Sequence, residues 1–265
     1  MKHTPEQLFT SAVVDVLTTA TGIQSVESLV GCFFLLSKSE HDNTEWEKTF
    51  LTADGDCVFF YAKALDYDVE QRGVTVGIAG WTTANGGRDD RGDFIRLAER
   101  YKRLGGLDLR PGSKGLTGNK AKARRFCRDI HTLHGDYADR WITAQIKELC
   151  SEDGYVYEAV KGLRDAGVSS PKALSVAIVM DTAVNQGFGG KWCPLKWLRN
   201  NASSNEEKLM TEFLAWKRVS ATKNHHNSPP SNGRKRADMF MDLVESGDWD
   251  LARSACEKVV TWRMK

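Results

Sequence analysis

The sequence lacks a hydrophobic run long enough to cross a membrane. Its longest apolar run, Leu29–Leu36, has about eight residues, whereas a spanning helix needs about 20. The first residues also lack a secretory signal, because Glu6 and Gln7 stand where the apolar core of such a signal would begin. We therefore expect no membrane insertion, and a protein that is cytoplasmic as made or is released by lysis or by a dedicated secretion route.

An excess of charge of one sign is also missing. The chain has 37 basic and 35 acidic residues, and its formal net charge is +2. A dedicated nucleic-acid-binding protein carries a basic surplus or stripe, so we expect no nucleic-acid partner. Hydrophobic residues make up 41% and charged residues 27%, which excludes a disordered chain and predicts one large or two-lobed globular domain.

Motifs for metals and nucleotides are absent as well. The six cysteines form no CxxC pair, and we expect most of them to be buried thiols. Neither GxGxxG, GxxxxGK[ST] nor GxSxG occurs. His131 and His134 have a metal-compatible spacing on a helix but lack a third ligand, and His225 and His226 lie in a polar loop. The sequence therefore predicts neither a metal nor an organic cofactor.

Helical periodicity dominates what is present. Only the segment 72–83 alternates as a strand does, and it predicts one small sheet near residues 57–83. The chain is thus expected to be mainly α. Caps and apolar spacing predict helices over 5–21, about 25–40, 93–104, 119–131, 137–151, 153–166, 170–185, 205–221, 232–246 and 248–262.

Two groups of carboxylates are candidates for acid–base chemistry. Glu40 falls at the end of an apolar helix, where desolvation would raise its pKa and suit a general acid. Asp66, Asp68 and Glu70 come just before Arg72, where a carboxylate could stay ionised and activate water. Two carboxylates in separate environments are the minimum for glycoside hydrolysis. The same pattern would also arise if these carboxylates were ordinary solvated charges at a helix end and in a loop.

Four segments carry a resemblance to a known family. They are 35–40 with Trp46 six residues later, RGVTVGIAGW at 72–81, VMDTAVNQG at 179–187, and the C-terminal stretches 213–218 and 233–251. In this order they resemble the family 46 glycoside hydrolases, which are chitosanases of the lysozyme-like superfamily. The likeness covers roughly residues 28–262.

The resemblance implies a mainly α, two-lobed lysozyme-like fold with a small sheet in the N-terminal lobe. The lobes would span about 25–110 and 111–265, and residues 1–24 would form an extra N-terminal helix. It also implies a monomeric endo-hydrolase that cleaves β-1,4 bonds of chitosan, or of a related amino-sugar polymer, with inversion and without a cofactor.

The resemblance assigns catalytic roles to particular residues. Glu40 would donate the proton to the glycosidic oxygen. The family's base is an aspartate two residues before Arg-Gly, and here that position is Glu70. Because glutamate is one methylene longer, Asp68 or Asp66 could serve instead. Thr75 matches the threonine that helps to hold the attacking water.

It also assigns residues to binding and to a charge network. Asp93 matches a carboxylate that binds the amino sugar, and Arg72 is expected at the substrate. Asp181 matches a buried aspartate that links two basic side chains to the acid. Those basic residues are arginines in the family; the candidates here are Lys217 or Arg218, and one of Arg234, Lys235 and Arg236.

Two alternatives remain open at this point. The segment 181–187 (DTAVNQG) also resembles that of phage-type muramidases, which would make the polysaccharide substrate peptidoglycan and the protein a phage lysin or a delivered toxin. The replacement of the family's aspartate by Glu70 would also fit a lysozyme-like scaffold that binds glycans with weakened catalysis.

Overall fold

A computed structural model of the chain describes residues 9–41, 74–83, 92–110, 116, 120–188, 193–224, 232–251 and 257–260. The described part contains ten helices and one two-stranded sheet. They are α1 (Ser11–Thr21), α2 (Val26–His41), β1 (Thr75–Val76), β2 (Trp81–Thr82), α3 (Phe94–Arg103), α4 (Lys120–His131), α5 (Asp136–Leu149), α6 (Tyr155–Asp165), α7 (Ala173–Gln186), α8 (Pro194–Asn200), α9 (Glu206–Asn224) and α10 (Asn232–Glu245).

The chain forms two compact units. The first combines residues 1–46 with 149–265, and the second spans residues 47–148. This division differs from the lobe boundary near residue 110 that the sequence suggested. The reason is a long-range contact: α2 packs against α7, which brings the N-terminal helices into the same unit as the C-terminal half of the chain.

Helix α7, predicted over 170–185, is the core of the first unit. Its residues 173–183 are all buried, because α2, α6, α8, α9 and α10 pack around it. A helix that is apolar on every side suits such a central position. The backbone N–H of Gly187, whose φ is 75°, bonds to the Ala183 carbonyl and ends the helix.

Only the part from residue 9 onward of the helix predicted over 5–21 lies in the described residues. Residues 9 and 10 are not helical, and α1 starts at Ser11; the predicted start at residue 5 lies outside the described residues. The predicted end is confirmed, because Gly22 takes a φ of 80° and its N–H bonds to the Thr18 carbonyl. The next helix, α2, covers the range that the sequence indicated.

In the second unit, the predicted strand is a hairpin instead. Val76 pairs with Trp81 across antiparallel β1 and β2, and a turn occupies residues 77–80. Gly77 and Gly80 have φ values of 73° and 66°, in the left-handed region that favours glycine. The motif therefore reverses the chain where the alternation had predicted a continuous strand.

The helices of this unit enclose an aromatic core. The apolar face of α3 is buried: Phe94, Leu97 and Tyr101 are inaccessible to solvent. Phe94 meets Phe126 of α4 edge-on with ring centroids 5.4 Å apart, and Tyr101 meets Trp141 of α5 at 5.2 Å. Such edge-to-face pairs add specific geometry to simple burial.

In the C-terminal part of the chain, one predicted helix start was wrong and one helix was not predicted. A helix over 248–262 does not begin at Asp248: residues 249–250 form a turn and Leu251 has a φ of 50°. There the chain passes close to α2, since a Cβ added to Gly31 would lie 2.7 Å from the Leu251 Cβ. Helix α8 was not predicted, although Pro194 at its first turn is a common start signal.

The cysteines of the described part agree with the expectation of buried thiols. The thiols of Cys32, Cys127 and Cys193 are buried, that of Cys150 is half-buried, and none of these four is in a disulfide; Cys57 and Cys256 lie outside the described residues. In the described ranges no single helix is long and apolar enough to span a membrane. Helix α1 and residues 26–39 together have sufficient length and hydropathy, but the two helices are bent by 82° relative to each other.

Candidate active site

A fully buried aspartate lies in the middle of α7. Asp181 has no exposed surface, and three side chains from three other helices bond to its carboxylate. Lys217 Nζ of α9 lies 2.5 Å from Oδ2, and Arg236 Nη1 of α10 lies 3.3 Å from Oδ1. Ser39 of α2 donates its hydroxyl to Oδ1. The carboxylate therefore ties together four helices of the first unit.

The electrostatics of this cluster favour an ionised Asp181. Burial alone would raise the pKa of its carboxyl group. The charges of Lys217 and Arg236, together with the hydrogen bonds from Lys217 and Ser39, lower the pKa by more than burial raises it, so the net shift is downward. Lys217 is fully buried and Arg236 is 3% exposed. Two buried cations thus share one carboxylate, and the Lys217 ammonium also lies 5.2 Å from the centre of the Phe240 ring.

The structure selects two of the five basic candidates as neighbours of Asp181. Arg218 points away and forms an ion pair with Asp238 at 2.8 Å, with both side chains partly exposed. Arg234 is exposed and Lys235 is half-buried, whereas Arg236 reaches the carboxylate. Adjacent residues on a helix point in directions about 100° apart, which is why only one residue of each run can face α7.

Ser39 is a residue of this cluster that the sequence analysis missed. It lies on the same face of α2 as Leu35 and Leu36, four and three residues earlier, and all three are buried. That spacing was the signal that could have found it. Ser39 immediately precedes Glu40, so its bond to Asp181 fixes the last turn of α2 at the predicted acid.

In the second unit, Asp93 is held by the hairpin. Its Oδ1 accepts a bond of 2.5 Å from the backbone N–H of Thr82 and one of 3.2 Å from the Thr82 hydroxyl. Burial raises the pKa of the Asp93 carboxyl group, while both Thr82 bonds and the charge of Arg96 oppose that rise. The carboxylate is therefore oriented, and its proton affinity is higher than usual.

Several predicted residues lie outside the described part of the chain. These are Glu70, Asp68, Asp66 and Arg72, together with the side chains of Glu40 and Thr75. The backbone of Glu40 belongs to α2 and that of Thr75 to β1, where Thr75 pairs with Thr82. Their predicted roles stay predictions.

The described residues contain no group of three or more His, Cys, Asp or Glu side chains that could hold a metal ion. His131 and His134 are both exposed. Trp81 is only 3% exposed, and half-buried Trp197 packs on Phe213 with ring centroids 5.3 Å apart. Both rings therefore serve packing, and Trp192 lies outside the described residues.

The sequence is similar to that of a known chitosanase. A chitosanase of Niallia circulans is 29% identical to this chain over 280 aligned positions, which cover 98% of this chain and 85% of the relative. No protein-family model matches the sequence.

The solved structures of two chitosanases are also similar to the structure of this chain. The family 46 chitosanase of Gynuella sunshinyii, solved with chitotetraose, superposes with a TM-score of 0.54 at 18% identity and covers 86% of this chain and 93% of its own. The chitosanase of Bacillus subtilis gives a TM-score of 0.52 at 19% identity, with 85% and 91% coverage.

The chain resembles the family 46 chitosanases over nearly its whole length. Its fold is mainly α and lysozyme-like, as theirs is, so the expected fold class is confirmed. Of the two candidates Lys217 and Arg218, the residue beside Asp181 is the lysine. A lysine keeps the charge but cannot form the two parallel bonds of a guanidinium.

Proposed function

We propose that this protein is a glycoside hydrolase that cleaves the β-1,4 bonds of chitosan within the chain, with inversion at the anomeric carbon. The observation that carries the proposal is the buried Asp181 cluster, which includes Ser39, the residue directly before Glu40. It combines with similarity to a chitosanase over 98% of the sequence and with the fold of a family 46 enzyme solved with chitotetraose.

In the proposed reaction, Glu40 and the carboxylate before Arg72 act together. Glu40 gives its proton to the glycosidic oxygen as the bond from that oxygen to the anomeric carbon breaks. Glu70, or else Asp68, takes a proton from a water molecule whose oxygen attacks the same carbon from the opposite face. Solvent then returns both carboxyl groups to their starting states.

The Asp181 cluster would tune the acid. Two uncompensated cations close to Glu40 would lower its pKa and leave it deprotonated, which would prevent proton donation. The ionised Asp181, bonded to both Lys217 and Arg236, offsets these charges. Ser39 couples the cluster to the turn of helix that carries Glu40.

The substrate chemistry would fit the carboxylate of Asp93. Chitosan carries ammonium groups at neutral pH, and a carboxylate that is already oriented can accept a hydrogen bond from one of them. Asp93 is oriented in this way by Thr82. The predicted threonine at the attacking water, Thr75, is paired with Thr82 on the same hairpin.

The test measures release of reducing ends from chitosan and, in parallel, from peptidoglycan. Wild type should cleave chitosan, and Glu40→Gln should lower kcat by about 10²–10⁴, the usual contribution of a general acid. Glu27→Gln is the matched control, because it makes the same change at an exposed position of the same helix and should retain full activity.

The remaining outcomes discriminate between substrates and roles. Cleavage of peptidoglycan alone would refute the chitosanase proposal in favour of a muramidase. Cleavage of neither polymer by folded wild type would favour a glycan-binding scaffold. If Asp68→Asn removes activity and Glu70→Gln does not, the base is Asp68.

A further inference from the structure

Asp93 makes an unusual contact for a residue in its position. It stands directly before α3, where an aspartate commonly accepts hydrogen bonds from the first N–H groups of its own helix. Its side chain makes no such capping bond. Instead, Oδ1 receives both the N–H and the hydroxyl of Thr82 on β2. The carboxylate is thus fixed by the hairpin rather than by the helix.

We propose that Thr82 is a positioning residue for the reaction: by holding Oδ1 of Asp93, it presents the other oxygen of that carboxylate to the ammonium group of a glucosamine unit. The proposal rests on the proposed chitosanase function. It assigns a role to a residue that neither the sequence motifs nor the charge cluster indicated.

The geometry distinguishes this role from a simple structural tie. Both bonds from Thr82 end on one oxygen, Oδ1, at 2.5 and 3.2 Å, so Oδ2 receives neither of them. A tie between hairpin and helix would need only the backbone bond. The Thr82 hydroxyl adds a hydrogen bond from a second direction. Two such bonds restrict rotation of the Asp93 carboxyl group about its last side-chain bond.

The register of the hairpin adds a second observation. Thr82 stands opposite Thr75 in the antiparallel pair, and Thr75 is the residue predicted to help hold the attacking water. The same two-stranded element would therefore set both the water and the ammonium-binding carboxylate. A shift of the hairpin would change both at once.

The charge environment of Asp93 makes the role measurable. Among the described residues, the charged group that acts on Asp93 is Arg96 of α3, whose Nε also lies 3.2 Å from Glu148 of α5; Glu148 in turn bonds to Arg100 at 2.9 Å. The hairpin contributes the two bonds of Thr82. Both hydrogen bonds from Thr82 favour the ionised carboxylate of Asp93. Loss of the Thr82 hydroxyl should therefore raise the pKa of Asp93.

The experiment uses two variants of Thr82 in the full chain. Thr82→Val keeps the backbone N–H and a β-branched shape but loses the hydroxyl, whereas Thr82→Ser retains it. A ¹³C titration of the Asp93 carboxyl group reports its pKa without substrate. Kinetics on chitosan, measured across pH, report kcat and KM separately.

Thr83→Val is the matched control. It removes a hydroxyl from the next residue of the same strand region, where Thr83 Oγ1 accepts a bond of 2.8 Å from the Val74 N–H. Thr83 is fully buried and bonds to Val74 rather than to Asp93. We expect this variant to be less stable but to keep the Asp93 titration and the KM of wild type.

We expect Thr82→Val to raise the pKa of Asp93 and to move the acidic limb of kcat/KM to higher pH. KM for chitosan should rise about tenfold with kcat nearly unchanged, as for loss of one bond to a charged group, and Thr82→Ser should restore both. If wild type cleaves chitosan but Thr82→Val has the same KM and the same Asp93 pKa as wild type, the proposed role of Thr82 is overturned and the proposed function is not. Absence of chitosan cleavage by wild type would refute the proposed function, and the role of Thr82 with it.

Discussion

Replacement of Asp181 by asparagine is the sharpest perturbation of the buried charge cluster. The change keeps the size and shape of the side chain but removes the negative charge between Lys217 and Arg236. Both cations are almost wholly buried, so neither can regain its hydration without unfolding of the helices around α7. We therefore expect a large loss of stability and a further effect on the acid.

The magnitude follows from the burial of the partners. Removal of one member of a buried ion pair costs about 3–5 kcal/mol. With an m-value of about 2.5 kcal/mol/M, that cost lowers the urea midpoint by ~1–2 M. A typical folded domain has about 5–15 kcal/mol of stability, so the variant should remain folded at 25 °C and can be assayed for chitosan cleavage.

A neighbouring ion pair supplies the control. Arg218 and Asp238 lie on the same two helices as the cluster residues, but their side chains are 51% and 32% exposed. Asp238→Asn should therefore cost no more than about 1 kcal/mol. Equal urea midpoints for Asp181→Asn and Asp238→Asn would refute the argument that Asp181 is a buried counter-ion.

A double-mutant cycle separates the charge effect from loss of packing. Lys217→Met removes one cation while it keeps a long, unbranched side chain. If the charges are coupled, the double variant with Asp181→Asn should be more stable than the sum of the single effects predicts, by about 0.5–3 kcal/mol. Additive effects would show that packing alone explains the single variants.

The pH dependence of stability has a defined sign. The pKa of Asp181 is lowered in the folded protein, so its carboxylate stabilises the fold above the unfolded value of about 3.9. This stabilisation is lost as the pH falls below that value through the folded pKa. The difference in unfolding free energy between wild type and Asp181→Asn should therefore shrink on acidification below about pH 4.

Two further predictions concern stability. Gly77→Ala should destabilise the protein more than Gly22→Ala: both residues have positive φ, which costs about 1–2 kcal/mol for alanine, but only at residue 77 would the new Cβ collide with Gln145 Oε1. Equal melting temperatures would contradict this. Glu148→Gln should lower the unfolding free energy by about 1–3 kcal/mol, because the 4%-exposed carboxylate bonds to Arg100; an unchanged urea midpoint would exclude that contribution.

The sequence predicted the central helices well because their signals are local. Helix α7 is apolar on every side and ends at Gly187, and the apolar face of α3 repeats at helical spacing. The hairpin was mistaken for a strand because the alternation outweighed Gly77 and Gly80. Two glycines so close together can signal a turn, and both have positive φ values in the structure.

The burial of Lys217 could have been predicted from periodicity. Lys217 continues a buried stripe of α9 formed by Met210, Phe213 and Leu214, and it lies seven, four and three residues after them. A charged residue on an apolar stripe is buried and so needs a counter-ion. The identity of that counter-ion depends on contacts between residues 36 apart in sequence, which no local pattern records.

Other features depend on long-range packing in the same way. The close approach of Leu251 to Gly31 explains why a helix does not begin at Asp248, although the sequence there has a good cap. The contact of Thr82 with Asp93 joins a hairpin to a helix start. Neither contact is visible in the apolar spacing of its own segment.

The most direct test of an inverting chitosanase that uses Glu40 is the anomeric configuration of the first product. Proton NMR during early cleavage of a chitosan oligosaccharide resolves the newly formed α and β reducing ends before they interconvert. Wild type should release the α-anomer first, and Glu40→Gln should release almost none in the same time. First appearance of the β-anomer, or undiminished cleavage by Glu40→Gln, would contradict the proposed mechanism.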